Sequence, residues 1–186
     1  DRGDAVTVID DLSTGFSWRL HDVRDRISMV HGTILDPAAL DRSMADAEVV
    51  FHEAAIPSVA RSVVDPVASN RANVDGTIEV MLAAARSGVR RLIYAGSSSI
   101  YGIPAELPCR ETFRANPTSP YGAGKLAAEH YVHTLGTLHG VDTVVLRYFN
   151  VFGPGQDPDS TSSALIPKCV TATPNDARPP ITAPGP

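Results

Sequence analysis

Short apolar runs recur along the chain, separated by stretches whose apolar residues return every three or four positions. The runs are AVTVI at 5–9, ISMVH at 27–31, EVVFHEAA at 48–55, RRLIYAGS at 90–97 and DTVVLRYFN at 142–150. They are rich in β-branched and aromatic residues, and several are almost continuously apolar. That pattern predicts strands buried on both faces, as in a parallel sheet.

The intervening stretches predict helices. DPAALDRSM (36–44) opens with Asp36 as N-cap and Pro37 at the first helical position. DPVASNRANVDGTIEVMLAAARSG (65–88) repeats the device with Asp65 and Pro66. It carries Val74, Ile78, Met81, Leu82 and Ala85 at helical spacing and ends on Gly88 as a C-terminal cap. SPYGAGKLAAEHYVHTLGTLHG (119–140) uses Ser119, Pro120 and Gly140 in the same way.

Strand, helix and strand in alternation imply right-handed crossovers and an α/β fold with a doubly wound parallel sheet. After Asn150 the pattern dissolves. GPGQDPDSTSS (153–163) reads as a loop and ALIPKCVTA (164–172) as one short helix. TPNDARPPITAPGP (173–186) has five prolines and no periodicity, which predicts an irregular tail. Residues 1–152 therefore read as one domain, and 153–186 as the start of a second, partly irregular region.

Composition narrows the function classes. The chain has 186 residues, 43% hydrophobic and 20% charged, with a formal charge of -5. This is a globular composition with no basic run, so nucleic acid is not an expected partner. No apolar stretch approaches the ~20 residues that span a bilayer, and no signal peptide is visible. Cys109 and Cys169 lie far apart in no metal-binding spacing, which predicts two thiols in a reducing cytoplasm and no metal. The first residue is Asp1 rather than Met, so the chain reads as cut from something longer.

In sheets of this type, ligands bind beyond the carboxyl ends of the strands. Asp10 ends the first visible strand, where an acid can accept hydrogen bonds from an adenosine ribose. Such an acid usually follows a glycine-rich phosphate loop by ~20 residues. Only nine residues precede Asp10, with Gly3 the one glycine among them, so the first strand and its glycine loop are expected to be missing. The chain then begins in the helix after that loop. DDLSTG (10–15) makes a tight polar turn, and the acid favours NAD over NADP by repelling a 2′-phosphate. Ala54 and Ala55 end a central strand and leave room for a flat cofactor. His52 reads as a satisfied core histidine, and Asn73 as a polar group inside a helix that bonds a neighbouring strand end or loop.

Tyr121 and Lys125 stand at i and i+4, on one face of the third helix. A free phenol has a pKa near 10, so acting as a base at neutral pH requires a drop of about three units, or roughly 4 kcal/mol. A nearby ammonium, a cationic nicotinamide and a hydroxyl donor can together supply it. The hydroxyl candidate is Ser97, where the strand 90–97 opens into AGSSSIYG. Tyr-x-x-x-Lys alone is a weak signal; with a serine at a strand end and an acid ending an early strand it is a constellation.

The motifs VIDDLSTG, VVFHEAAIPSVARSVVDP, NVDGT, YAGSSSIYG, SPYGAGKLAAEHY and LRYFNVFGPGQ together resemble the extended short-chain dehydrogenase/reductase family, in its NAD-dependent nucleotide-sugar epimerase/dehydratase group. The resemblance covers roughly residues 5 to 156. It implies a Rossmann-type domain that lacks its first strand and glycine loop here, and a substrate region that is cut short. It implies catalysis by Ser97, Tyr121 and Lys125. It implies NAD contacts at Asp10, Asp11, Leu12, Ser13, Ile34, Ala54, Ala55, Asn73, Tyr121 and Lys125, and sugar-nucleotide contacts at Ser97, Tyr121 and Asn150. A homodimer is implied through the helices 65–88 and 119–140.

Within the group, dehydratases carry an Asp-Glu pair after the serine, the acid and base of water elimination. Here Ser98 and Ser99 stand instead. AIPSVARSV is similar to the 4-epimerases, so the resemblance implies oxidation of a UDP-sugar of the glucose/galactose type to a 4-keto sugar and its return on the other face, a step of galactose metabolism. A nucleotide-sugar decarboxylase, a uronate epimerase, or an inactive fragment serving as an interaction module stay open. Thr33 stands where the family has an adenine-contacting Asp.

Overall fold

The computed structural model describes residues 3–154, 156 and 165–172. They form two compact units, Asp1–Tyr148 and Phe149–Pro186. The first unit therefore closes at Tyr148, ahead of the boundary read from the sequence. In the second unit, Leu165–Ala172 is helical (α6), and the tail 173–186 lies outside the described residues.

Five strands form, each at its predicted place: β1 (Val6–Asp10), β2 (Ile27–His31), β3 (Val49–His52), β4 (Arg91–Ser97) and β5 (Asp142–Tyr148). All pairings are parallel, but they build two sheets, β1-β2 and β3-β4-β5, where one was expected. The physical reason lies in the strand order. A doubly wound sheet of order 3-2-1-4-5-6 has one strand position between these two groups, and no strand among the described residues fills it. Gly3 to Ala5 run into β1 without a helical turn, contrary to the expected helical start.

Helices α1 (Pro37–Ser43), α2 (Val59–Val64), α3 (Pro66–Asn70), α4 (Gly76–Arg86) and α5 (Pro120–His139) complete the unit. The predicted caps operate. Asp36, Asp65 and Ser119 each accept a backbone N–H of the first turn, and Gly140 closes α5 in the left-handed region at φ 72°. The helix predicted over 65–88 is interrupted by a π turn, Arg71–Asp75, between α3 and α4. An extra residue in a turn resets the phase of the face that follows. Val74 and Met81 are buried as their spacing predicts, but Thr77, Val80 and Ala84 turn inward while Ile78, Leu82 and Ala85 stay half-buried. Helix α2 is an element the sequence pattern did not mark; Ser58 caps it by accepting the Arg61 N–H at 3.2 Å.

The core joins Leu40 and Met44 near α1, Val80, Met81 and Ala84 of α4, Leu92 and Tyr94 of β4, and Ala128 and Val132 of α5. These helices cover one face of the sheet. Strand residues paired in register share a face, and the opposite face leaves Phe51 70% and Leu146 39% exposed. That face is open at β3 and β5, while the central strand β4 keeps Ala95 buried on it.

Two contacts bring α5 onto the end of β4. Arg147 on β5 donates to both carboxylate oxygens of Glu129 on α5 (3.1 and 2.6 Å), to the Tyr101 hydroxyl (2.9 Å) and to the Glu111 carbonyl (3.0 Å). It thereby ties β5 and α5 to the 3-10 turn Ser98–Tyr101. Gly122 supplies the second: a Cβ there would lie 2.6 Å from the Ser99 carbonyl oxygen. In a helix, Gly→Ala ordinarily stabilises by roughly 0.5–1 kcal/mol. Gly122→Ala is expected to do the reverse, destabilising by about 1–3 kcal/mol in denaturant unfolding, because α5 must retreat from the turn.

Candidate active site

The carboxyl end of β4 gathers the three residues expected to act. Ser97 closes the strand, is 8% exposed, and caps the following 3-10 turn by accepting the Ser99 N–H at 3.2 Å. With its oxygen occupied as an acceptor, its O–H is free to donate, and it lies near enough to the Tyr121 side chain to favour the phenolate. Tyr121 is half-buried in the first turn of α5, and Lys125 one turn later is 3% exposed.

Burial raises the Tyr121 phenol above its ordinary value, and the Ser97 hydrogen bond opposes the rise. The phenol is not acidified in the protein alone. The Lys125 ammonium is held at the end of β4. Nζ donates to the Ala95 carbonyl at 2.8 Å and lies over the Tyr94 ring, 4.7 Å from its centroid. Burial lowers the Lys125 pKa to about 8, and the Glu53 carboxylate pulls it partly back.

Behind the lysine is a dry polar layer. The Tyr94 side chain is fully buried, with burial raising its pKa; Thr77 lies alongside, but no bond to the Tyr94 hydroxyl forms among the described residues. Thr77 instead donates to the Asn73 carbonyl at 2.8 Å. The 2.9 Å contact between His52 Nε2 and Thr77 Oγ1 must then be donated by the imidazole, which fixes the tautomer. Burial first, and Lys125 second, lower the His52 pKa to about 3. His52 is a neutral core group and no base.

The cofactor residues expected from the sequence fall at the ends of β1, β2 and β3. Asp10 accepts the Leu12 N–H at 2.7 Å, and Asp11 accepts the Ser13 N–H at 2.9 Å. The Ser13 contacts hold the Asp11 carboxyl below its ordinary value. Leu12 takes φ 56°, in the left-handed region, which turns the chain back over the strand end. Gly15 then passes so close that a Cβ would sit 3.3 Å from both Asp10 carboxylate oxygens. An exposed carboxylate under a glycine-lined turn fits a ribose diol, so the adenosine end of NAD suits these residues. Ile34 is half-buried and packs against Gly76. Ala54 is exposed and Ala55 half-buried beyond β3.

Asn73 bonds a neighbouring loop, as expected of a polar group inside a helix. It is buried, accepts the Ile56 N–H at 2.8 Å, and donates to the Ile56 carbonyl (3.3 Å) and Ser69 Oγ (3.4 Å). It holds the loop after β3, which carries Ala54 and Ala55. Asn150 is exposed and belongs to the second unit. Glu53 and Tyr94, which act on Lys125, were not singled out for that role in the sequence. Glu53 lies within the run EVVFHEAA and Tyr94 within RRLIYAGS, and neither run shows what meets the lysine.

A buried ammonium costs stability. Between about 8 and the ordinary 10.5, the unfolded chain binds the Lys125 proton and the folded one does not. The penalty is therefore present in full below pH 8 and is relieved as pH rises. Lys125→Met is expected to raise unfolding free energy on the order of 2 kcal/mol at pH 7, with the advantage shrinking toward pH 10.5. Denaturant titrations of both proteins across that range measure it.

Known proteins share this arrangement of strands and helices. A profile of the NAD dependent epimerase/dehydratase family matches residues 1–185. The chain is 40% identical to a UDP-glucose 4-epimerase of Mycolicibacterium smegmatis, over 88% of this chain and 53% of that protein. In three dimensions it matches a UDP-N-acetylglucosamine 4-epimerase from Methanobrevibacter ruminantium solved with UDP-N-acetylmuramic acid, at TM-score 0.86 and 36% identity. That match covers 92% of this chain and 56% of the other. A dTDP-glucose 4,6-dehydratase from Streptomyces venezuelae, solved with NAD, superimposes at TM-score 0.84 and 29% identity over 95% of this chain and 54% of its own. The chain spans about half the length of the relatives it matches. With the profile running over nearly every residue and the strand-end serine, tyrosine and lysine assembled, the chain belongs to the NAD dependent epimerase/dehydratase family.

Proposed function

We propose that this chain carries the catalytic centre of a UDP-sugar 4-epimerase acting on the UDP-glucose/UDP-galactose pair. The observation that carries the reading is the meeting of Ser97 and Tyr121 at the end of β4, with Lys125 one turn below. Ser98 and Ser99 follow Ser97, so the position offers no pair of carboxylates for eliminating water.

In this reading Tyr121 takes the proton of the sugar 4-hydroxyl, and Ser97 donates a hydrogen bond to the same oxygen. The 4-keto sugar turns in the pocket, and Tyr121 returns the proton once the other face is presented. Bound NAD supplies a reversible two-electron acceptor for C4 and a positive ring charge beside the phenol. The phenol starts above 10 in the protein alone, so that charge, the Ser97 donor and the Lys125 ammonium must act together to bring it toward neutrality. Asp10 holds the adenosine ribose, and Asn73 braces the loop that bears Ala54 and Ala55. Asn150 serves the nucleotide-sugar.

The exposed apolar residues Tyr131 and Leu138 recur at i and i+7 on α5, which supports a homodimer through that helix. Among the described residues no helix is long and apolar enough to cross a membrane, and we place the protein in the cytoplasm.

Tyr121→Phe tests the base directly. Interconversion of UDP-galactose and UDP-glucose is expected to fall by about 100- to 10,000-fold, while calorimetric NAD affinity stays unchanged. Epimerisation by Tyr121→Phe at the parental rate would remove the phenol from the mechanism.

A further inference from the structure

We propose that Ser62 on α2 is a positioning residue that sets where the Tyr121 phenol meets Ser97. The inference deepens the reading above and rests on it for the catalytic consequence, but its geometry stands alone. Ser62 is fully buried. Its hydroxyl donates to the Val59 carbonyl at 2.7 Å, which commits its proton within α2. The oxygen is left as an acceptor, and it takes the backbone N–H of Tyr121 at 3.0 Å, 59 residues away in sequence.

The first turn of α5 shows why this bond matters. A helix begins with backbone donors that have no partner inside it. Pro120 has no N–H. Gly122 N–H is taken by Ser119 Oγ at 3.1 Å, and Ala123 N–H by the Ser119 carbonyl at 2.9 Å. Both partners belong to the cap of the same helix. Tyr121 is the residue of this turn whose N–H is satisfied from another element, and its side chain is the one that must reach Ser97. Removing Ser62 Oγ would leave that donor buried without a partner.

The bond also joins the base to the loop expected to face the cofactor. Asn73 holds Ile56 at the loop's centre, Ser58 caps α2, and Ser62 reaches Tyr121 one turn on. This gives a role to AIPSVARSV, whose similarity to 4-epimerases had no physical basis in the sequence alone. A shift of the loop is transmitted to the backbone of the base.

The test uses Ser62→Ala, and Ser62→Cys as a near-isosteric variant with a poor acceptor. The Tyr121 phenol is titrated by ultraviolet difference spectroscopy against Tyr121→Phe, and amide exchange is followed at Tyr121 and Gly122. With the phenol moved away from the Ser97 hydroxyl, Tyr121 is expected to titrate higher than in the parent, as in Ser97→Ala. Its amide should exchange about tenfold faster, with Gly122 unchanged. In turnover, kcat is expected to fall about tenfold with KM for the UDP-sugar unchanged. An unshifted phenol in both variants overturns the proposal, as does equal acceleration of both amides, which would mark general loosening of α5. If the parent epimerises nothing, the functional reading fails, while the titration and exchange still decide the role of Ser62.

Discussion

Lys125 Nζ donates to the Ala95 carbonyl from a position with almost no access to water. An ammonium there survives only because a carbonyl dipole, the face of Tyr94 and the charge of Glu53 partly replace its hydration. The rest of the site is arranged around that constraint. The helix bearing the lysine must come down onto the end of β4, which requires a glycine at position 122 and the four-element clasp of Arg147. Once it does, Tyr121 is delivered to Ser97 by the same approach. The arrangement lowers stability locally, the usual signature of a group kept for chemistry rather than for folding.

The supporting shell is polar, buried and nearly complete. Thr77 links His52 to Asn73, Asn73 clamps Ile56, and Ser62 reaches the backbone of Tyr121. Such networks hold a site only when each member is satisfied. The exception is the Tyr94 hydroxyl, buried without a partner among the described residues, on the ring that lies beneath the lysine.

Much of this was legible in the residues. Strand positions, caps at Asp36, Asp65 and Ser119, and the pairing of Tyr121 with Lys125 follow from local rules that depend on few neighbours. What was not legible depends on tertiary contact. The π turn at Arg71–Asp75 rotates α4 and moves Ile78 and Leu82 off the core. That Asn73 would bond a neighbouring loop was legible, but not that its partner would be both backbone groups of Ile56. Spacing along a helix also does not reveal that the end of β4 offers Lys125 a carbonyl and an aromatic face. Ser62 sits in an unremarkable Ala-Arg-Ser-Val string, and only packing of α2 on α5 shows what it meets.

The account turns on the lysine being buried and ready to give up its proton more easily than a surface lysine. Nuclear magnetic resonance of the lysine side-chain nitrogens, with Lys125→Met to identify the signal, measures this directly. Titration of Lys125 near 8 is the result expected from its surroundings. Titration at the ordinary 10.5 would mean a solvated ammonium, and the placement of α5 against the end of β4 would be wrong.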